Sequence, residues 1–185
     1  MADSVSVIYD RVDICQMISR GNVARVKELY IQKHMSATRQ YGEGGLTLLH
    51  YAAWHNQVQV MEFLLTQGAT VDQLSSDKRT SLFLAALYGG VDAIRCLYIH
   101  GANFNHQDED GDTPLHSGVY SQKEEVVRIL LQCGADPNIK NHEGQTPTED
   151  LLYPTEEVLS TPDVWKEKVT EILRTAITKS TRPKM

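Results

Sequence analysis

The chain has few cysteines and none of them are paired in sequence. Cys15, Cys96 and Cys133 are odd in number and show no C-x-x-C spacing, which speaks against a disulfide framework or a thiolate metal site. Each falls in an apolar helical pattern, where a small buried thiol packs well. The reading is three structural thiols in a reducing setting, cytoplasmic or nuclear. No run approaches the roughly 20 apolar residues that span a bilayer, and the first residues show no basic stretch leading into an apolar one. Neither a membrane span nor a secretory leader is expected. Basic residues are also not concentrated where they would serve a phosphate backbone. The formal net charge is −6; residues 1–40 hold six Lys/Arg against four Asp/Glu, 179–185 hold three basic residues and no acid, and the stretch between carries the acidic excess. A nucleotide or nucleic acid is therefore the least favoured partner. No Ser/His/Asp, Cys/His or His-Glu-x-x-His arrangement stands out either, so no catalysis, metal or cofactor is expected.

What is present is repetition. Thr47, Thr80, Thr113 and Thr146 recur every 33 residues, and Gly68-Ala69, Gly101-Ala102 and Gly134-Ala135 keep the same interval. A period of this length marks a solenoid, in which each unit buries its apolar face against the next and the whole offers one long surface.

Residues 113–138 give the clearest unit. Thr113-Pro114 reads as a helix start, because threonine caps free N–H groups and proline at the first helical position gives up an N–H that had no partner. Small residues follow one turn later, Ala52-Ala53 and Ala85-Ala86 in two copies and Gly118 here, and let neighbouring helices approach. After a polar break, Val126, Val127, Ile129, Leu130 and Leu131 form the apolar face of a second helix, which Gly134 ends. Asp110-Gly111 and Glu143-Gly144 are turn signals that reverse the chain in a short hairpin.

Thr-Pro-Leu-His, the small pair, the Leu-Leu-x-x-Gly-Ala-Asp ending and the Asp-Gly turn resemble the ankyrin repeat family. The resemblance implies an all-α solenoid of about five helix-turn-helix-hairpin repeats, curved so that inner helices and hairpin tips form a concave binding face. It divides a single domain, 1–178, into a divergent cap at 11–32, repeats at 42–74, 75–107 and 108–140, and a C-terminal capping repeat at 141–178. The link from Gln32 to Gly45 is longer than a hairpin and Gly-rich, which predicts mobility. Glu149 replaces the usual histidine in the last unit, the apolar face resumes at Val164, Trp165, Val169, Ile172, Leu173 and Ala176, and an insertion near 153–162 accounts for the longer spacing. Thr161-Pro162 reads as the start of that final helix. Residues 179–185 read as a loose basic tail.

His50 and His116 share one repeat position, so a metal or catalytic role would require residues a repeat apart to converge; the resemblance implies instead that the imidazole ties a helix start to the adjoining loop. The run Asp108-Glu109-Asp110-Gly111-Asp112 fits a calcium loop poorly, since the glycine falls too early and the twelfth-position glutamate is missing; it reads as a solvated hairpin tip. Asn105 and Asn138 stand eight residues after Leu97 and Leu130, which resembles the spacing of ankyrin asparagines modified by the oxygen-dependent asparaginyl hydroxylase, although a hairpin hydrogen-bonding role is simpler.

The resemblance implies where a partner sits: Trp54 and His55, Leu87 and Tyr88, Tyr120 and Ser121 on the inner helices, with Asp77, Arg79, Glu109, Asp110, Asp112, His142, Glu143 and Gln145 at the tips. Rings and apolar groups in three successive repeats of an exposed row mark a contact site. The expected partner is another protein, bound through an extended peptide or loop with apolar anchors and basic residues. Residues 13–77 also resemble the N-terminal ankyrin domain of palmitoyltransferases with an Asp-His-His-Cys motif, through Asp13-Ile14, Glu28-Leu29, Leu48-Leu49-His50-Tyr51-Ala52-Ala53 and Gly68-Ala69-Thr70-Val71-Asp72-Gln73-Leu74. That resemblance implies substrate recruitment by short peptides, yet the family's contacting asparagine falls at His55 and its tryptophan at Leu84. The leading expectation is a non-enzymatic interaction module or adaptor; the alternative is the recruiting domain of such a membrane enzyme.

Overall fold

Paired helices follow one another along the chain in a computed structural model that describes residues 14–42, 44–152 and 163–180. The first pair is α1 over 14–19 and α2 Val23–Gln32; then come α3 Leu48–Trp54 with α4 Val58–Thr66, α5 Ser81–Tyr88 with α6 Val91–Ile99, α7 Pro114–Tyr120 with α8 Glu124–Gln132, and α9 Pro147–Leu152 with α10 Asp163–Ser180. Inner helices stack α3 on α5, α5 on α7 and α7 on α9, while α2, α4, α6, α8 and α10 form the outer row. The expected all-α repeat solenoid is what the chain forms.

Local chemistry explains the boundaries that repeat. The hydroxyls of Thr47, Thr80 and Thr146 accept the amides of His50, Phe83 and Glu149 at 3.3–3.4 Å, which satisfies a donor every helix start leaves open. At the other end of the unit, Gly68, Gly101 and Gly134 sit at φ of +88°, +77° and +100°. That left-handed turn lets the amides of Ala69, Ala102 and Ala135 reach back to the carbonyls of Leu64, Leu97 and Leu130, each at 3.0 Å. One motif thus ends three helices.

Between the two rows lies the core. Leu49, Leu64, Leu82, Ile94, Leu97, Leu115 and Leu130 are fully buried, as are the pairs Ala52-Ala53 and Ala85-Ala86. Each large side chain contributes about 1.5–3 kcal/mol by leaving water, and the small ones let the rows close on one another. At Gly118 the approach is tighter still: an added Cβ would lie 2.7 Å from Leu130 Cδ1. No disulfide joins the thiols; Cys96 is buried and Cys15 and Cys133 are half-buried, in keeping with packing roles.

Two expectations change. The 32–45 link is anchored rather than loose: Ala37 and Tyr41 are buried, Gln40–Tyr41 pairs antiparallel with Leu46–Thr47, and the side chains of Gln40 and Gln73 donate across to the carbonyls of Leu74 and Thr38 at 2.7 and 2.8 Å. Burial of Tyr41 also pushes its phenol up to about 12. The final helix runs on to Ser180, into the segment read as tail, with Val169 and Leu173 buried and Val164 exposed rather than packed. The inserted segment 153–162 and its Thr161-Pro162 helix start lie outside the described residues.

Glu149 stands where His50 and His116 stand in their repeats. Its carboxylate accepts from the backbone N–H and the hydroxyl of Thr146 at 2.8 and 2.9 Å, and those bonds hold it below the usual carboxylate value. It therefore closes the start of α9, but as an acceptor alone it has no proton to offer a following loop.

Candidate protein-binding face

The inner helices end on one side of the molecule, and their last residues form a row of rings. The Trp54 indole lies 4.8 Å from the Tyr88 ring at 23°, with His55 flat against it at 5.5 Å and Tyr51 at 6.3 Å. Trp54 is half-buried in this stack, whereas Tyr88 and Tyr120 keep 45% and 51% of their surface exposed. Trp54 and Tyr88 are thus neither sunk in the core nor loose, and stacking of this kind is worth about 0.5–1.5 kcal/mol per pair. Partial burial lowers the His55 pKa. Leu87 is half-buried, and the Ser121 hydroxyl turns back to donate to the Gly118 carbonyl at 2.7 Å.

Across the face from the rings run the hairpin tips, joined by one backbone hydrogen bond per step: Ser76 N–H to the Gly44 carbonyl, Glu109 to Asp77, and His142 to Asp110, at 3.0–3.1 Å. Asp108, expected on a solvated tip, is only 4% exposed. Its Oδ1 accepts the amides of Asp110 and Asp112 at 3.0 Å each, and its Oδ2 accepts Arg79 Nε at 3.1 Å. Asn141, one repeat on, does the same for Glu143 and Gln145 at 3.1 and 3.0 Å and donates through Nδ2 to Asp112 at 2.9 Å. Neither residue entered the sequence-based site, although their shared register 33 residues apart was available as a signal.

The tip residues named from sequence therefore divide. Arg79 is half-buried, paired with Asp108, and its guanidinium lies 5.0 Å over the Phe83 ring. Asp112 is half-buried, and burial raises its carboxyl pKa against the opposing pull of the Asn141 amide. Gln145 is half-buried and gives its carbonyl to His116. Asp77, Glu109, Asp110, His142 and Glu143 remain exposed.

His50 and His116 are buried. In each, Nδ1 takes the backbone N–H of Thr47 or Thr113 at 3.1 Å, so the proton must sit on Nε2, which donates to the carbonyl of Arg79 or Gln145 in the next hairpin at 3.1 Å. This is the tie between helix start and adjoining loop that the resemblance implied. Burial lowers the His50 pKa from its ordinary 6.5, the bond to Arg79 opposing it. The folded chain then binds fewer protons than the unfolded one between those two values. Stability due to His50 is complete above pH 6.5 and declines as pH falls from there through the lower folded value. Thermal melts from about pH 7.5 to about pH 5 should show that decline, and His50→Gln should flatten it; an unaltered slope in the variant would assign the effect to other groups.

Asn105 accepts the Asp136 amide on Oδ1 at 2.8 Å, and Asn138 is bonded through its own N–H and Nδ2 to Asp136 at 2.9 Å, so both serve the loops between repeats. Of the two positions at which the palmitoyltransferase resemblance places peptide contacts, His55 is exposed and Leu84 is 6% exposed; only the first faces solvent. Among the described residues no group of three or more His, Cys, Asp or Glu is arranged to hold a metal ion, and no helix is long and apolar enough to cross a membrane.

Helix pairs stacked at a 33-residue period, hairpins tied by histidine and a face bounded by rings and acids define a helical repeat scaffold of the kind used for recognition. A family model for three copies of the ankyrin repeat matches residues 49–141, and one for many copies matches 13–65; the chain belongs to the ankyrin repeat family. Ankyrin repeats are generally protein–protein interaction modules and typically lack catalysis. No curated protein matches the chain.

Proposed function

We propose that this chain is a non-enzymatic recognition module or adaptor that holds an exposed segment of another protein against its concave face, working in the cytoplasm or nucleus. The observation that supports it is the ring row. Trp54, Tyr88 and Tyr120 come from three successive repeats, and the last two keep about half their surface in water, where a row without a task would be polar. Exposed rings rimmed by polar groups are typical contact anchors. The Trp54–Tyr88 stack holds two of them in place before a partner arrives, which reduces the ordering cost of association.

The test is a comparison of wild type with a Trp54→Ala, Tyr88→Ala, Tyr120→Ala variant in partner capture, followed by affinity measurements on single variants. Each anchor should cost about 1–3 kcal/mol of binding when truncated, and specific partners should vanish from the triple variant. Equal capture by the two proteins would move the binding site off this face.

A further inference from the structure

Asp77, Asp110 and Glu143 occupy the same hairpin position at intervals of 33 residues, and all three are exposed. Their tips form one continuous edge, because the Asp77 carbonyl accepts Glu109 N–H at 3.1 Å and the Asp110 carbonyl accepts His142 N–H at 3.0 Å. Arg79 does not cancel them. Arg79 makes its short contact with Asp108 at 3.1 Å and reaches Asp77 and Asp110 only at 3.9 Å, with their side chains 59% and 75% exposed; such open pairs contribute little. The concave face is therefore bounded by a row of carboxylates on one margin and a row of rings on the other. An inner helix such as α5, eight residues or about 12 Å long, separates the two.

Trp54 and Tyr88 close to 4.8 Å and form one platform, whereas the carboxylates follow the spacing of the stacked repeats, about 8–10 Å for elements packed side by side. An occupant that uses every carboxylate must present like side chains at that interval and in one direction. A β-strand advances about 3.3 Å per residue, so its third residue lies at the right distance but points to the opposite side. Polyproline II advances about 3.1 Å per residue with three residues per turn, and returns every third side chain to the same face after about 9 Å. An α-helix returns only at the seventh residue, about 10.5 Å on. Rings also suit the second solution, since polyproline II segments dock in aromatic-lined grooves.

We propose that the concave face takes a partner segment in polyproline II conformation, with Lys or Arg at every third residue against Asp77, Asp110 and Glu143, and proline or apolar side chains against Trp54, Tyr88 and Tyr120. This rests on the concave-face reading and adds the partner's chemistry and register. It gives the partner's basic residues a register of one per repeat.

Fluorescence anisotropy tests it with the whole chain and a labelled peptide of four Pro-Pro-Arg triplets. The comparators are an isomer of the same composition with its arginines contiguous, and an alanine-based helical peptide with arginine at every seventh residue. The triplet peptide should bind at least about tenfold tighter than either, and added salt should weaken it. The variant Asp77→Asn, Asp110→Asn, Glu143→Gln keeps the backbone carbonyls that join the tips; it should melt as wild type does and lose about tenfold in affinity for the triplet peptide. Equal affinity for the contiguous isomer, tighter binding of the helical peptide, or an unaffected charge variant would each overturn the proposal. The two readings fail differently. If ring truncation removes a native partner while the charge variant retains it, the concave face stands and the register falls; if neither variant loses it, both fall.

Discussion

Asp108→Ala is expected to cost about 3 kcal/mol of folding stability. The side chain at this position is fully enclosed, 1% exposed, while its partner Arg79 is 32% exposed. Alanine would strand the amides of Asp110 and Asp112 and remove the anchor of Arg79, whose guanidinium also covers Phe83. Asp108→Asn separates the two roles. Asparagine retains the acceptor for both amides, as Asn141 does one repeat later, and loses only the charge pairing, so its cost should be about 1 kcal/mol. Urea denaturation of the three proteins reads the difference. Equal losses for Ala and Asn would show that the ion pair, not the amide knot, holds the hairpin; no loss in either would show that neither does.

His116→Ala should be comparably harmful, at about 2–3 kcal/mol, because it deletes a buried side chain that bonds both to its own helix start and to the Gln145 carbonyl of the next hairpin. Phenylalanine should not rescue it, even though Phe83 occupies the equivalent place in the preceding repeat. There the ring lies under the Arg79 cation. The residue in the register of Arg79 beside position 116 is Asp112, and a carboxylate repels the face of a ring that a guanidinium attracts. His116→Phe is thus expected to lose most of what His116→Ala loses, in the same urea experiment. A phenylalanine variant as stable as wild type would reduce the histidine to a space-filler and remove the inter-repeat bond from the account of stability.

The two cases illustrate what kind of information a repeat makes readable. The period is written in residues whose roles are local: threonine at helix starts, glycine at +φ helix ends, small pairs under the inner helices. Such roles depend on the backbone a few residues away, so they were legible before any packing was known. The ring row was legible as well, once the period had aligned the ends of the inner helices: Trp54, Leu87 and Tyr120 share one position, and His55, Tyr88 and Ser121 the next. Less legible were the roles that cross from one repeat to the next. Asp108 reads as one more acid in a solvated run, and only the fold of the hairpin over it, with Arg79 arriving from the preceding repeat, makes it a buried hub. Arg79 reads as a free surface cation for the same reason. The 32–45 link also reads as loose, because its anchors, Gln73 and the Leu74 carbonyl, lie a full repeat away.

The sequence by itself determined the class of architecture, the helix starts and ends of the central repeats and the family, since a 33-residue copy whose apolar face cannot be buried alone has to stack. Tertiary structure decided which charges are available to a partner. Once the tips close edge to edge, Asp108 turns inward to accept two amides and Arg79, and Asn141 accepts two amides and donates to Asp112, while Asp77, Asp110 and Glu143 are left in water. That division follows from the cost of leaving a buried polar group unpaired, which no position in a one-dimensional list reveals.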